Sequence, residues 1–207
     1  MQQLISRIES LKGTEIKNII NQRIKEFKSI DKKNNNELFK EICFCILTAN
    51  YNAEKSIKIQ NEIGHCFLTD SQEELSKKLK EYGHRFPNNR AKYIIESKKF
   101  KDQLRKIIQH RDKRAIREWF VNNIKGLGYK ESSHFLRNIG FDDYAIIDFH
   151  IIDVLVNFDL IEKPKTISKK KYLEIEEILR KIAKETNLTL AELDLYLWYM
   201  ETGKILK

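Results

Sequence analysis

Two prolines and seven glycines in 207 residues leave little turn chemistry for a many-stranded sheet. Apolar residues recur instead at helical spacing, so an all-α fold is expected. Cysteine is equally scarce. Cys43, Cys45 and Cys66 are too few and wrongly spaced for a four-ligand zinc or iron–sulfur site. Neither a metal cluster nor a structural disulfide is expected; Cys43 and Cys45 read as small buried hydrophobes on different faces of one helix. No run approaches the roughly 18 apolar residues that span a bilayer, and Met1-Gln2-Gln3 lacks the basic start and apolar core of a signal peptide. A membrane partner is excluded on this reading, and a cytoplasmic protein is expected.

What is present is charge. The chain carries 39 Lys+Arg against 30 Asp+Glu, a formal +9, which suits a nucleic-acid partner. Taken alone the same excess also fits a well-solvated surface. A hydrophobic content of 41% is enough to bury one good core, or two small ones sharing a cleft.

Leu38, Phe39, Ile42, Cys43, Ile46 and Leu47 define one buried helical stripe, and Tyr172, Ile175, Leu179 and Ile182 define another. Ser71 with Glu74, and Thr189 with Glu192, have the capping-box spacing that starts a helix, while Gly203 is placed to stop the last one. The polar segments Asp31 to Asn36 and Glu162 to Lys171, the second broken by Pro164, read as surface connections too short to separate independent domains. No internal repeat is evident.

The chemistry concentrates between Ile124 and His150. Gly126-Leu127-Gly128 forms a Gly-x-Gly hairpin whose main-chain N–H groups can approach a phosphate, followed by a helix whose positive end faces the same anion. A glycine pair alone more often marks an ordinary helix–helix turn; here Ile124 and Leu127 anchor it, Lys125 and Lys130 add charge, and Phe135, Leu136 and Ile139 give the next helix a buried face. Lys130 lies in that helix's first turn. An ordinary lysine, with a pKa near ~10.4, is neutral about once in a thousand at pH 7.4, so desolvation or a cationic neighbour must lower it before it attacks anything. Asp148 reads as a helix cap whose carboxylate can also steady positive charge on a sugar losing its base. His150 reads as a packed or capping residue.

Asp194 and Trp198 share one helix face with Glu201, beside an apolar side of Leu193, Leu197 and Met200. A tryptophan there is usually core, yet a carboxylate and a flat indole together suit a purine pocket, and Lys207 is near enough in sequence to reach it. Asn50-Tyr51-Asn52 and Gly83-His84-Arg85-Phe86-Pro87, the latter leading into Arg90 and Lys92, would pass as bland loops; in an enzyme that extrudes a base they are natural plugs for the hole left behind.

These motifs resemble the helix-hairpin-helix DNA glycosylases, and most closely the archaeal-type second family of 8-oxoguanine DNA glycosylase/AP lyases. The supporting strings are Cys43 to Asn50 (CFCILTAN), Gly83 to Phe86 (GHRF), Lys125 to Gly140 (KGLGYKESSHFLRNIG), Ala145 to Asp148 (AIID) and Glu192 to Lys207 (ELDLYLWYMETGKILK). The resemblance implies Lys130 as the nucleophile forming a Schiff base that leads to β-elimination, with Asp148 activating it. It implies Phe86 and Trp198 around the flipped base, Asp194 on its ring nitrogens, and Lys207 telling 8-oxoguanine from guanine. Asn50, Asn52 and Arg90 resemble residues that fill the gap or meet the opposite base, and Gly126 and Gly128 the backbone grip.

One departure is visible: Phe149 stands where relatives usually carry arginine. We expect one catalytic unit over 1–207, with two helical subdomains flanking a DNA-binding cleft: 31–145, holding a helix-hairpin-helix near residues 115–140, and a discontinuous 1–30 plus 146–207. The expected partner is double-stranded DNA containing oxidised guanine, met by a monomer in a prokaryotic, nucleoid-associated setting without cofactor or metal. Two alternatives stay open: a non-catalytic helix-hairpin-helix module gripping only the backbone, and a glycosylase for a different oxidised base.

Overall fold

The computed structural model describes residues 1–110 and 112–207. All regular structure among them is helical, in the order α1 (Gln2–Lys12), α2 (Ile16–Ser29), α3 (Asn35–Thr48), α4 (Ala53–Ile63), α5 (Cys66–Thr69), α6 (Gln72–Glu81), α7 (Pro87–Ser97), α8 (Leu104–Ile108), α9 (Lys113–Asn123), α10 (Tyr129–Asn138), α11 (Phe149–Asn157), α12 (Lys169–Glu185) and α13 (Leu190–Thr202), with a 3-10 turn over Lys98–Gln103. No helix among the described residues is long and apolar enough to cross a membrane. Contacts divide the chain into two compact units, Met1–Ser29 with Gly140–Leu206, and Ile30–Ile139 with Lys207.

In the second of these, α3 is the hub. It packs against α4, α5, α7, α8, α10 and the 3-10 turn, and every residue from Leu38 to Thr48 except Lys40 is buried. The apolar stripe is therefore only part of α3's buried surface: Phe44 and Cys45 on the other side are fully buried too. A helix surrounded on all sides needs no polar face. Burying Phe39 or Phe44 contributes roughly 1.5–3 kcal/mol each. Asn34 starts α3 by accepting the Asn36 and Glu37 N–H groups, and Ser71 and Glu74 form the expected capping box on α6.

In the other unit α13 has the same central role, contacting α1, α2, α11 and α12. The Thr189–Glu192 box starts it, the Glu192 carboxylate accepting the Thr189 N–H at 2.7 Å. Gly203 ends it in the left-handed conformation, at φ 69°. Tyr172, Ile175, Leu179 and Ile182 of α12 are all buried. The segment read as a loop to Lys171 is shorter than expected, because the Ser168 hydroxyl accepts the Lys171 N–H at 3.2 Å and starts α12 at Lys169. Capping chemistry outweighs the local lysine run there.

Candidate active site

The α9–hairpin–α10 motif is fixed by its own side chains. Ile124 and Leu127 are buried, and Phe120 of α9 meets Phe135 of α10 edge to face with ring centroids 4.8 Å apart. Tyr129 donates to Glu118, and Arg117 donates to the Ser133 hydroxyl at 3.2 Å while its guanidinium lies 5.2 Å from the Tyr129 ring. Gly126 takes φ +91°, and a Cβ there would stand 2.7 Å from Cδ2 of Tyr93. Only glycine fits.

The expected cradle of free amides is partly occupied. Leu127 N–H donates to the Ile124 carbonyl at 3.2 Å, and Gly128 N–H donates to the Glu131 carboxylate at 3.1 Å. Glu131 therefore sits where the positive end of α10 attracts an anion.

Lys130 follows in the first turn, half-buried, and among the described residues it enters no ion pair. Below it on the same face of α10 are His134 and Asn138, both buried. Burial pushes the His134 imidazole well below its usual range, and the charges of Arg137 and Lys130 push the same way. The ring is thus neutral. Among the described residues its nitrogens lie close to the Lys207 main chain without a well-aligned hydrogen bond, and its edge meets Phe44 with ring centroids 5.6 Å apart.

Lys207 packs within this unit. Its ammonium donates to Glu41 Oε1 at 2.5 Å and to Gln60 Oε1 at 2.6 Å, and lies 4.6 Å from the Phe44 ring centroid. Burial raises the Cys45 thiol; Glu41 adds to the rise, while Lys130, Lys207 and Arg137 oppose it.

Phe86 and its neighbours form a second cluster in the same unit. His84, buried, accepts the Phe86 N–H at Nδ1 (3.0 Å), which leaves Nε2–H to donate to the Leu47 carbonyl, also at 3.0 Å. Burial lowers its pKa, the Leu47 bond only partly opposing the fall. Tyr51 lies against the His84 ring and donates to the Gly83 carbonyl at 2.9 Å.

Arg90, read as filling the gap or meeting the opposite base, is buried. Its guanidinium donates to the Ala49 carbonyl and lies 5.6 Å from the Phe86 ring centroid. Asn52 is a helix cap, accepting the Lys55 N–H at 2.9 Å, whereas Asn50 is exposed in a left-handed turn at φ 56°.

In the first unit Asp148 caps α11: its Oδ1 accepts the Ile151 N–H at 3.0 Å. Next to it Phe149 is 67% exposed. Its ring lies 4.0 Å from that of His150, which in turn meets Trp198 at 4.6 Å, so His150 is the packed residue expected. Among the described residues the Trp198 indole N–H has no partner, and Asp194 lines a small cavity with Ala145, Ile146, Ile151, Leu179 and Leu197. Glu41, Gln60, His84 and His134 were not among the expected site residues. Glu41 follows Lys40 in an otherwise apolar stretch, the only hint that its carboxylate is paired inside.

A hairpin with a lysine opening its second helix, and an aspartate capping the next, define an all-helical protein of the helix-hairpin-helix class. The model of the 8-oxoguanine DNA glycosylase family, Ogg-HhH, matches residues 20–188. A Methanocaldococcus jannaschii protein named 8-oxoguanine DNA glycosylase/AP lyase is 57% identical, with 99% of each chain covered. The crystal structure of the M. jannaschii enzyme in complex with a 15mer DNA containing 8-oxoguanine matches with a TM-score of 0.96 at 56% identity, covering 99% of this chain and 100% of that one. The Thermotoga maritima 8-oxoguanine DNA glycosylase matches at 0.94 and 43%, covering 100% and 99%. The chain belongs to the 8-oxoguanine DNA glycosylase family.

Proposed function

We propose that the protein excises 8-oxoguanine from double-stranded DNA and then cuts the strand, with Lys130 as nucleophile. The observation that carries this reading is Lys130 itself: half-buried and outside any ion pair among the described residues, at the start of the hairpin's second helix, in a chain of this family. The neutral amine attacks C1′ of the deoxyribose, the Nζ–C1′ bond forming as the bond to the base breaks. The base leaves with a proton. Opening of the C1′–O4′ bond gives a Schiff base, loss of a C2′ proton follows, and the 3′ phosphate departs by β-elimination.

Asp148 keeps one carboxylate oxygen on the Ile151 amide, leaving the other for the lysine proton and for positive charge on the sugar. Phe86 and Trp198 stack on the purine, and Asp194 accepts from its ring N–H groups. Lys207 separates lesion from guanine at N7, which oxidation converts from acceptor to donor. Asn50 fills the space left by the extruded base, Asn52 holds that loop by capping α4, and Arg90 acts by holding Phe86. The backbone at Gly126 and Gly128 grips the phosphates.

An amine and a carboxylate suffice for these steps, so no cofactor is required; we place the enzyme in the cytoplasm as a monomer. The test is reduction with borohydride during reaction on a duplex containing 8-oxoguanine. A covalent protein–DNA adduct is expected from the native chain and none from Lys130→Gln; an adduct persisting in that variant removes Lys130 from the role.

A further inference from the structure

Glu41 lies in the middle of α3, its side chain 5% exposed, where a carboxylate is unfavourable unless its lone pairs are taken up. Three side chains do so: Lys207 Nζ at 2.5 Å, Gln60 Nε2 at 3.0 Å and Asn138 Nδ2 at 3.3 Å. Gln60 is itself oriented. Its amide nitrogen donates to Glu41 and to the Lys40 carbonyl at 3.2 Å, which turns its oxygen toward the Lys207 ammonium at 2.6 Å. The π face of Phe44 covers the ammonium 4.6 Å from the ring centroid. An ammonium has three donors, and this socket offers it two oxygens and a ring.

We propose that Glu41 and Gln60 are positioning residues that seat the Lys207 side chain and thereby fix the residue-207 main chain beside His134, on the face of α10 that carries Lys130. This rests on the reading of Lys207 as the residue that senses N7 of the lesion. The ammonium is consumed by the socket, so recognition falls to the main chain at this position. Glu41 never touches DNA; it acts through Lys207.

The test compares Lys207→Ala, Glu41→Gln and the double variant in two single-turnover assays: excision of 8-oxoguanine from a duplex, and cleavage at a preformed abasic site, which needs Lys130 but no base. We expect each single variant to slow excision by about tenfold or more, and the double variant to be no worse than Lys207→Ala, while abasic cleavage by Glu41→Gln stays within about twofold.

Equal losses in both assays for Glu41→Gln assign it a merely structural role and overturn the proposal. So does unchanged excision by Glu41→Gln where Lys207→Ala is slow, which leaves the reading of Lys207 intact. Unchanged excision by Lys207→Ala removes that reading and the socket with it. Should Glu41→Gln fail to fold, Gln60→Met carries the same test: about threefold slower excision with abasic cleavage intact is expected, and parallel or absent effects overturn the proposal.

Discussion

Gly126 and Tyr93 are locked together: a single added carbon at Gly126 would stand 2.7 Å from the tyrosine ring, on a backbone at φ +91°. Gly126→Ala is therefore expected to destabilise by about 1–3 kcal/mol through backbone strain and the clash. Adding Tyr93→Ala should recover the steric part only. Gly128, with φ −91° and nothing closer than the Glu131 carboxylate at 3.3 Å, should accept alanine with a smaller loss. Chemical denaturation of the three variants checks the order; equal losses at both glycines would contradict it.

Asp148 caps α11, and substitution can separate that task from the charge proposed to act in excision. Asparagine caps a helix nearly as well as aspartate, so Asp148→Asn should cost less than about 0.5 kcal/mol, whereas Asp148→Ala loses the Ile151 bond and about 1 kcal/mol. Both should slow base excision by ~10²-fold or more, because both remove the charge. Melting curves and single-turnover rates measure the two effects independently, and a fast Asp148→Asn enzyme would leave the residue as a cap only.

Phe149 is exposed, so Phe149→Ala should change stability by less than about 0.5 kcal/mol. Restoring the arginine expected at this position, as Phe149→Arg, should tighten DNA binding and steepen the dependence of log K on log salt by about 0.9, the signature of one added phosphate contact. Fluorescence anisotropy across a salt series reads the slope. An unaltered slope would put this side chain away from the DNA backbone.

Two buried histidines make stability pH-dependent. Burial lowers the folded pKa of both His134 and His84, so the unfolded chain binds protons first as pH drops past its ordinary value near ~6.5. Their contribution is complete above that pH and is lost as pH falls toward the depressed folded values. The melting temperature should fall between about pH 7 and pH 5, and His134→Gln should flatten that fall. An equally steep fall in the variant would place the proton uptake elsewhere.

Much of the fold was legible because its determinants are local. The boxes at Ser71 and Thr189, the stop at Gly203 and the stripe from Tyr172 to Ile182 each depend on residues within a turn or two of one another. Lys130 and Asp148 were legible as candidates for the same reason, standing at the starts of helices. Glu41 and His84 were not, and Arg90 was legible as a DNA contact but not as a buried residue: each is a polar residue held by a partner distant in sequence, Lys207, Leu47 and Ala49 respectively. Arg90 shows the difference most plainly, since in sequence it belongs to a basic helix face and in the fold it lies behind Phe86.

The bonds from His84 to Leu47 and Phe86, and from Arg90 to Ala49, join the end of α3 to the start of α7. On the proposed role of Phe86 against the base, anyone wishing to retune this protein for a bulkier or smaller lesion inherits that linkage. Exchanging the aromatic ring at position 86 alone would leave its supports shaped for the old occupant, so the sensible module to transplant is the whole two-loop block, 47–52 together with 83–90.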